Sequence, residues 1–354
     1  MGTPDRVSAL DRATLLRLPK AELHCHLDGS VRPETLLDLA TQHGVTMPRA
    51  DAASLREYMT VRDARNLEDY LARFETTLSV MQRADAIERI AYELAEDAYR
   101  DGVLYIEVRF APVLNVRQGL TVEKVVEAAA RGLARAEKEF GIIGRVIVTA
   151  LRNLSPDISL ELAHLAVAYR ARGVAGFDLA GSEAGHPASR HAKAFDYARS
   201  HDMACTCHAG EGDGGQSVRE AVHVCGAHRI GHGTRLFEDP SLMDYVNDRR
   251  IPIEICLTSN IQTRAATSYE SHPVRRYYDA GLNIVLNTDN RLMSATTLTD
   301  EYMHAAQHIG FTFADLARIA VNSFESAFLP WKERQALISG ARHMIAELEA
   351  GRGR

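Results

Sequence analysis

The sequence predicts an α/β chain folded as a (β/α)8 TIM barrel, with a helical lid inserted after the first strand and extra helices at the C-terminus. Three observations carry this. Short runs rich in Val, Ile and Leu alternate with helical patterns, and eight such strands can be counted. Ionisable residues gather where those runs end, the rim on which barrels of this kind place their sites. No Gly-x-Gly-x-x-Gly follows the first run, which disfavours a dinucleotide-binding sheet.

The first strand lies in Lys20-Ala-Glu-Leu-His-Cys-His-Leu-Asp-Gly29. His24 and His26 stand two residues apart, so on a strand both imidazoles face one point. Arg32 to His43 reads as a helix, and Arg49 to Arg65 as polar and irregular. Leu67, Tyr70, Leu71, Phe74, Leu78 and Met81 then recur at helical spacing. This helix interrupts the strand–helix alternation, so it is either a core-facing helix or an apolar flap over a site. Together the lid spans about residues 48–82. Ala84 to Arg100 is a further helix.

The remaining strands are Val103–Phe110, Gly144–Leu151, Val174–Gly181, Met203–Glu211, Arg229–Gly233, Ile251–Leu257 and Leu282–Asp289. Helices fall between them at Val122–Phe140, Ile158–Arg172, Ala188–His201, Ser217–Cys225, Pro240–Asn247 and Pro273–Ala280, and more run to the C-terminus. No linker or low-complexity segment divides the 354 residues, so one elaborated domain over 1–354 is expected.

Composition narrows the function classes. Hydrophobic residues make up 46% and charged residues 25%, as in ordinary globular proteins. A net charge of -6 leaves no basic footprint, so no nucleic-acid partner is indicated. No apolar run is long enough for a transmembrane helix, and the first twenty residues lack the apolar core of a signal peptide. The five cysteines are scattered without Cys-x-x-Cys spacing, which argues against disulfides or a Cys-type zinc site. A reduced, cytoplasmic enzyme with no membrane partner is the expectation.

Reading only the strand ends yields a constellation. Strand 1 ends in His24, His26 and Asp28; strand 4 in Gly181, Ser182 and Glu183; strand 5 in His208 and Glu211; strand 6 in His232; strand 8 in Asp289 and Asn290. Three histidines and an aspartate from strands 1, 5 and 8 suit a borderline metal, of which zinc is the natural choice. Such a metal generates hydroxide near neutral pH. Glu211, three residues after His208, is placed to protonate a ring nitrogen or leaving group, and His232 to orient the water. His43, His164, His191, His201, His304, His308 and His343 read as surface residues, and His186 and His272 as loop residues before proline.

The chain resembles the adenosine deaminase family of metal-dependent amidohydrolases. The likeness rests on the strand 1 segment with Phe177-Asp-Leu-Ala-Gly181, His208-Ala-Gly-Glu211, Arg229-Ile-Gly-His-Gly233, Thr258-Ser-Asn260 and Asn287-Thr-Asp289, in the family's order. It implies zinc-dependent hydrolytic deamination of a 6-aminopurine: adenosine and 2′-deoxyadenosine first, with adenine or aminodeoxyfutalosine as alternatives. By motif position, His24, His26, His208 and Asp289 would hold one zinc ion. Glu211 would donate a proton to purine N1, and His232 and Asp289 would position and deprotonate the water. Gly181 would contact N3, and Asp28 the ribose 5′-hydroxyl. Leu67, Tyr70, Leu71 and Phe74 match the family's apolar lid, which favours the flap over the core helix.

One departure stands out. The family usually carries a second aspartate and a proline after Asn-Thr-Asp, where this chain has Asn290 and Arg291. Asn290 can donate to N7 without being protonated first. Arg291 is either a contact to a substrate substituent or a solvated surface charge. Three other readings fit less well. Strand 4 carries no lysine to bridge two metals, and neither a binding-only protein nor a nucleic-acid base deaminase matches these residues.

Overall fold

A computed structural model of the chain describes residues 10–62 and 64–352. Eight strands follow one another in sheet order: β1 Lys20–His26, β2 Val103–Phe110, β3 Ile143–Leu151, β4 Val174–Ala180, β5 Ala204–Ala209, β6 Arg229–His232, β7 Ile253–Ile255 and β8 Ile284–Leu286. Every neighbouring pair is parallel. Helices cover the outer face, so both sides of each strand are shielded. The strands accordingly read as nearly continuous buried runs rather than alternating ones.

The last and first strands meet beyond their regular ladders. Cys25 and Asp289 form a parallel bridge. The His26 N–H donates to the Asp289 carbonyl at 2.7 Å, and the Asp289 N–H to the His24 carbonyl at 3.0 Å. Asn287 Oδ1 accepts the Leu23 N–H at 2.7 Å. The seam therefore fastens the strand 1 histidines to the strand 8 aspartate.

The interior of the barrel is charged. Arg109 reaches Asp178 at 3.3 Å and Glu254 at 2.9 Å, and Arg229 reaches Glu254 at 2.5 Å, all fully buried. Buried charges persist only when paired in this way.

The lid differs from the sequence reading. The stretch expected to be irregular contains a helix, Ala52–Met59, whose N-cap Asp51 accepts the Ser54 N–H. The expected single helix is two short ones, Leu67–Leu71 and Phe74–Leu78. Tyr70 and Leu78 are buried while Leu71 and Phe74 are half-buried, so the segment serves the core and roofs a cavity at once. Strand 7 is also shorter than expected, because Leu257–Gln262 turns into a helix. Helices Leu298–His308, Phe313–Glu325 and Trp331–Arg352 complete the C-terminus. No described helix is long and apolar enough to cross a membrane.

Candidate active site

Parallel strands aim their C-terminal ends at one rim, and that rim gathers the residues picked from the sequence. His24, His208, His232 and Asp289 present ligand atoms all within 4.8 Å of one another. His26 completes the group: its Nε2 lies 3.3 Å from Asp289 Oδ1 and 3.2 Å from His208 Nε2. His232 and Asp289 both hold positive φ, 62° and 63°, where non-glycine residues are rare. Strain of this kind persists only where surrounding structure imposes it. Here the barrel seam and a hydrogen bond from Ser259 Oγ to Asp289 Oδ2, 2.6 Å, do so.

The second ring nitrogens show what the first ones offer. His24 Nδ1 sits 2.8 Å from Glu254 Oε2, and His208 Nδ1 3.2 Å from Asp178 Oδ1. Burial alone would raise both carboxyls. Arg109 and the imidazoles overcome it and hold Asp178 and Glu254 ionised. A carboxylate only accepts, so each Nδ1 carries the proton and each Nε2 turns a lone pair inward. The Nε2 atoms of His24 and His208 and the Asp289 carboxylate thus converge, with His24 Nε2 3.3 Å from Asp289 Oδ1 and in no regular hydrogen bond among the described residues. The missing partner of such a donor set is a cation, and nitrogen and oxygen donors in this number fit a borderline divalent ion.

Glu211 faces the same space. Its Oε2 is 3.4 Å from His232 Nε2, and its Oε1 is buried and has no hydrogen-bond partner among the described residues. Burial, then the negative charges of Asp289 and Glu183, push its carboxyl well above the usual carboxylate range. Burial and the neighbouring His24 keep His232 neutral. A protonated carboxylic acid facing a buried slot can give its proton to a group bound there.

A slot of about 40 Å³ lies over these groups, lined by Leu67, Tyr70, Leu71, Phe74, Gly181 and Asn290 besides the ionisable residues. It continues into a cavity of about 350 Å³ that includes Asp28, Thr149 and Asn153. Asp28 is buried with Oδ1 unpaired, and burial raises its carboxyl to about 7. Gly181 sits at φ 95°, a conformation that leaves its backbone open to the cavity without a side chain in the way. Gly29 is needed for a different reason: a Cβ there would lie 1.7 Å from Asn290 Oδ1. The Asn290 side chain is held between Gly29 and the hydroxyl of Tyr70, which also meets Ser294 Oγ at 3.1 Å.

A sequence model described as adenosine deaminase matches residues 19–344. The chain belongs to the adenosine deaminase family. An adenosine deaminase of Mycobacteroides abscessus is 42% identical over 93% of this chain and 95% of its own length. One of Mycobacterium avium is 40% identical over 93% and 95%. Among solved structures, an adenine deaminase of Arthrobacter aurescens superposes with a TM-score of 0.86 at 27% identity, over 93% of this chain and 99% of that one. A zinc-bound amidohydrolase of Burkholderia ambifaria gives 0.87 at 28% identity, over 98% and 96%. This adenosine deaminase family member is a hydrolytic deaminase, and its eight-stranded barrel is the TIM barrel that the strand pattern predicted.

Two readings are corrected by the structure. Arg291 is neither at the substrate nor in solvent: it is buried and pairs with Glu22 at 2.5 Å and Asp101 at 3.4 Å. His191 is fully buried between Ser159 Oγ and the Arg152 carbonyl. His272 lies in a loop, as expected, and is buried there against Asn260. Sequence reasoning gave no role to Glu254, quoted Asp178 and Asn260 only within motifs, and placed Glu183 at the end of strand 4 without a task. The signal for Asp178 and Glu254 was present, since each is a carboxylate inside an apolar strand run, where a charge needs a partner.

Proposed function

We propose that the enzyme converts adenosine and 2′-deoxyadenosine to inosine and 2′-deoxyinosine with release of ammonia. His24, His26, His208 and Asp289 would hold one zinc ion. When bound, zinc acidifies water so that a nucleophile is available near neutral pH.

The other steps fall to the chain's own residues. Asp289 accepts the proton of the attacking water, and His232 holds that water against C6. Glu211, kept protonated by burial, gives its proton to N1, which makes C6 electron-poor enough to be attacked. Gly181 and Asn290 fix the base through N3 and N7. Asp28 binds the 5′-hydroxyl. Leu67, Tyr70, Leu71 and Phe74 exclude water, so each of these polar contacts acts in a medium of low polarity.

The observation that carries this reading is the unpaired Oε1 of Glu211 beside a slot that ends at the imidazole–Asp289 cluster. The cavity of about 350 Å³ beyond the slot gives room for a sugar next to Asp28, which favours nucleosides over free adenine. The test is loss of adenine absorbance with purified protein on adenosine, deoxyadenosine and adenine, with and without a chelator. Fast, chelator-sensitive turnover of the nucleosides supports the proposal; turnover of adenine alone overturns the nucleoside part.

A further inference from the structure

We propose that His272 and Asn260 are positioning residues that fix the tautomer of His232, so that its Nε2 presents an N–H, not a lone pair, to the reacting centre. The inference rests on the deaminase reading for what His232 faces, but its geometry stands alone.

The chain of bonds starts at a group that cannot reverse its polarity. The backbone N–H of Val274 donates to His272 Nδ1 at 3.1 Å. That nitrogen must therefore hold a lone pair. Burial lowers the His272 pKa to about 3, so its ring is neutral and the single proton sits on Nε2. His272 Nε2 meets Asn260 Oδ1 at 3.1 Å and donates to it. The opposite orientation of the Asn260 amide would set two donors face to face. With its oxygen committed, Asn260 turns Nδ2 to His232 Nδ1 at 2.9 Å and donates. His232 Nδ1 thus holds a lone pair as well, and the proton of the neutral ring is on Nε2, which faces Glu211 Oε2 at 3.4 Å.

All three side chains are buried, at 3%, 0% and 1% exposure, so water does not break the relay. The backbone around it is fixed too: Asn260 donates its own N–H to the Cys256 carbonyl at 2.8 Å and accepts the Ala266 N–H at 2.8 Å. The consequence divides labour at the site. An imidazole with N–H at Nε2 donates to an oxygen that gathers negative charge and has no lone pair with which to take the proton of water. That proton passes to Asp289 alone.

The deciding variant is Asn260→Asp, which keeps the shape but only accepts. A carboxylate at this position draws a proton to His232 Nδ1 and leaves a lone pair at Nε2. Expected is a fall in kcat of roughly 10²–10⁴-fold, the size seen when a catalytic histidine is held in the wrong tautomer, with KM for adenosine within about threefold and zinc content unchanged. His272→Gln, whose amide still donates, should recover most of the kcat that His272→Phe loses. The direct readout needs no altered relay: nitrogen-15 NMR of histidine-labelled wild-type protein, with His232 assigned by its absence in His232→Gln. A protonated Nε2 with unprotonated Nδ1 supports the proposal, and the reverse pattern overturns it. So does an Asn260→Asp enzyme that folds, binds zinc and keeps wild-type kcat. If wild-type protein with zinc leaves adenosine untouched while the spectrum shows the N–H at Nε2, the substrate reading fails and the relay stands.

Discussion

The carboxylate of Glu183 accepts the backbone N–H of Glu211 at 2.9 Å, and it takes the N–H groups of Gly210 and Gly212 at 2.6 Å each. Glu183 thus fixes the loop that aims Glu211, and its charge helps to keep Glu211 protonated. Glu211 works as an acid only while it holds its proton. Because its folded pKa is raised, activity is present below that pKa and is lost as pH rises through it. Glu183→Gln removes a negative charge and should move the alkaline limb of the kcat/KM profile to lower pH. An unmoved limb would contradict the electrostatic part of this account.

Glu211 itself gives a sharper test. Glu211→Gln keeps the shape and cannot release a proton to N1. We expect kcat to fall by about 10²–10⁴-fold, the usual weight of general acid catalysis. Thermal stability and zinc content should stay near wild type, since Glu211 Oε1 makes no hydrogen bond among the described residues. A loss confined to KM would place Glu211 in binding only.

Asn290 stands where the family usually has a carboxyl. Asn290→Leu should reduce kcat/KM on adenosine by up to about tenfold, the worth of one neutral hydrogen bond. Asn290→Asp should restore the contact only where the new carboxyl is protonated, so its profile should fall more steeply with rising pH. Wild-type efficiency in Asn290→Leu would remove the N7 contact from the mechanism.

Metal removal separates chemistry from fold. Dialysis against a chelator should abolish deamination while far-ultraviolet circular dichroism stays unchanged. Tm should drop and then climb again with the logarithm of added zinc, as binding to the native state alone requires. Full activity in protein shown by elemental analysis to hold no metal would rule out the proposed ligand set.

Glu301 supplies a stability prediction away from the chemistry. It is fully buried, accepts from Thr258 and from Thr296 Oγ1 at 2.8 Å, and burial raises its pKa from 4.5 to about 7. The folded state therefore holds the proton more tightly than the unfolded state. The stabilisation is complete below about pH 4.5 and is lost as pH rises through about 7. Glu301→Gln should flatten the part of the Tm–pH curve between these limits. A curve that keeps its slope in the variant would assign that slope to other groups.

The barrel and the rim residues were legible because both leave local traces. Strand runs and the His24–His26 spacing are read within a few residues, and the rim residues chosen from the sequence, His24 and Glu183 apart, line the slot or its extension. What escaped depends on segments far apart in the chain. Nothing near His272 says that its ring lies against Asn260, and nothing near Arg291 says that Glu22 lies 269 positions away and in contact. The two short lid helices also escaped. Their apolar spacing continues across Ala72 and Arg73, whose backbone stays in the right-handed helical region, and only the fold shows that the regular helix is interrupted there.

Glu254 gathers spokes from four parts of the wheel: His24 from β1, Arg109 from β2, Thr206 from β5 and Arg229 from β6. One carboxylate thus laces four staves of the barrel together, so its loss would slacken the ring at four points at once.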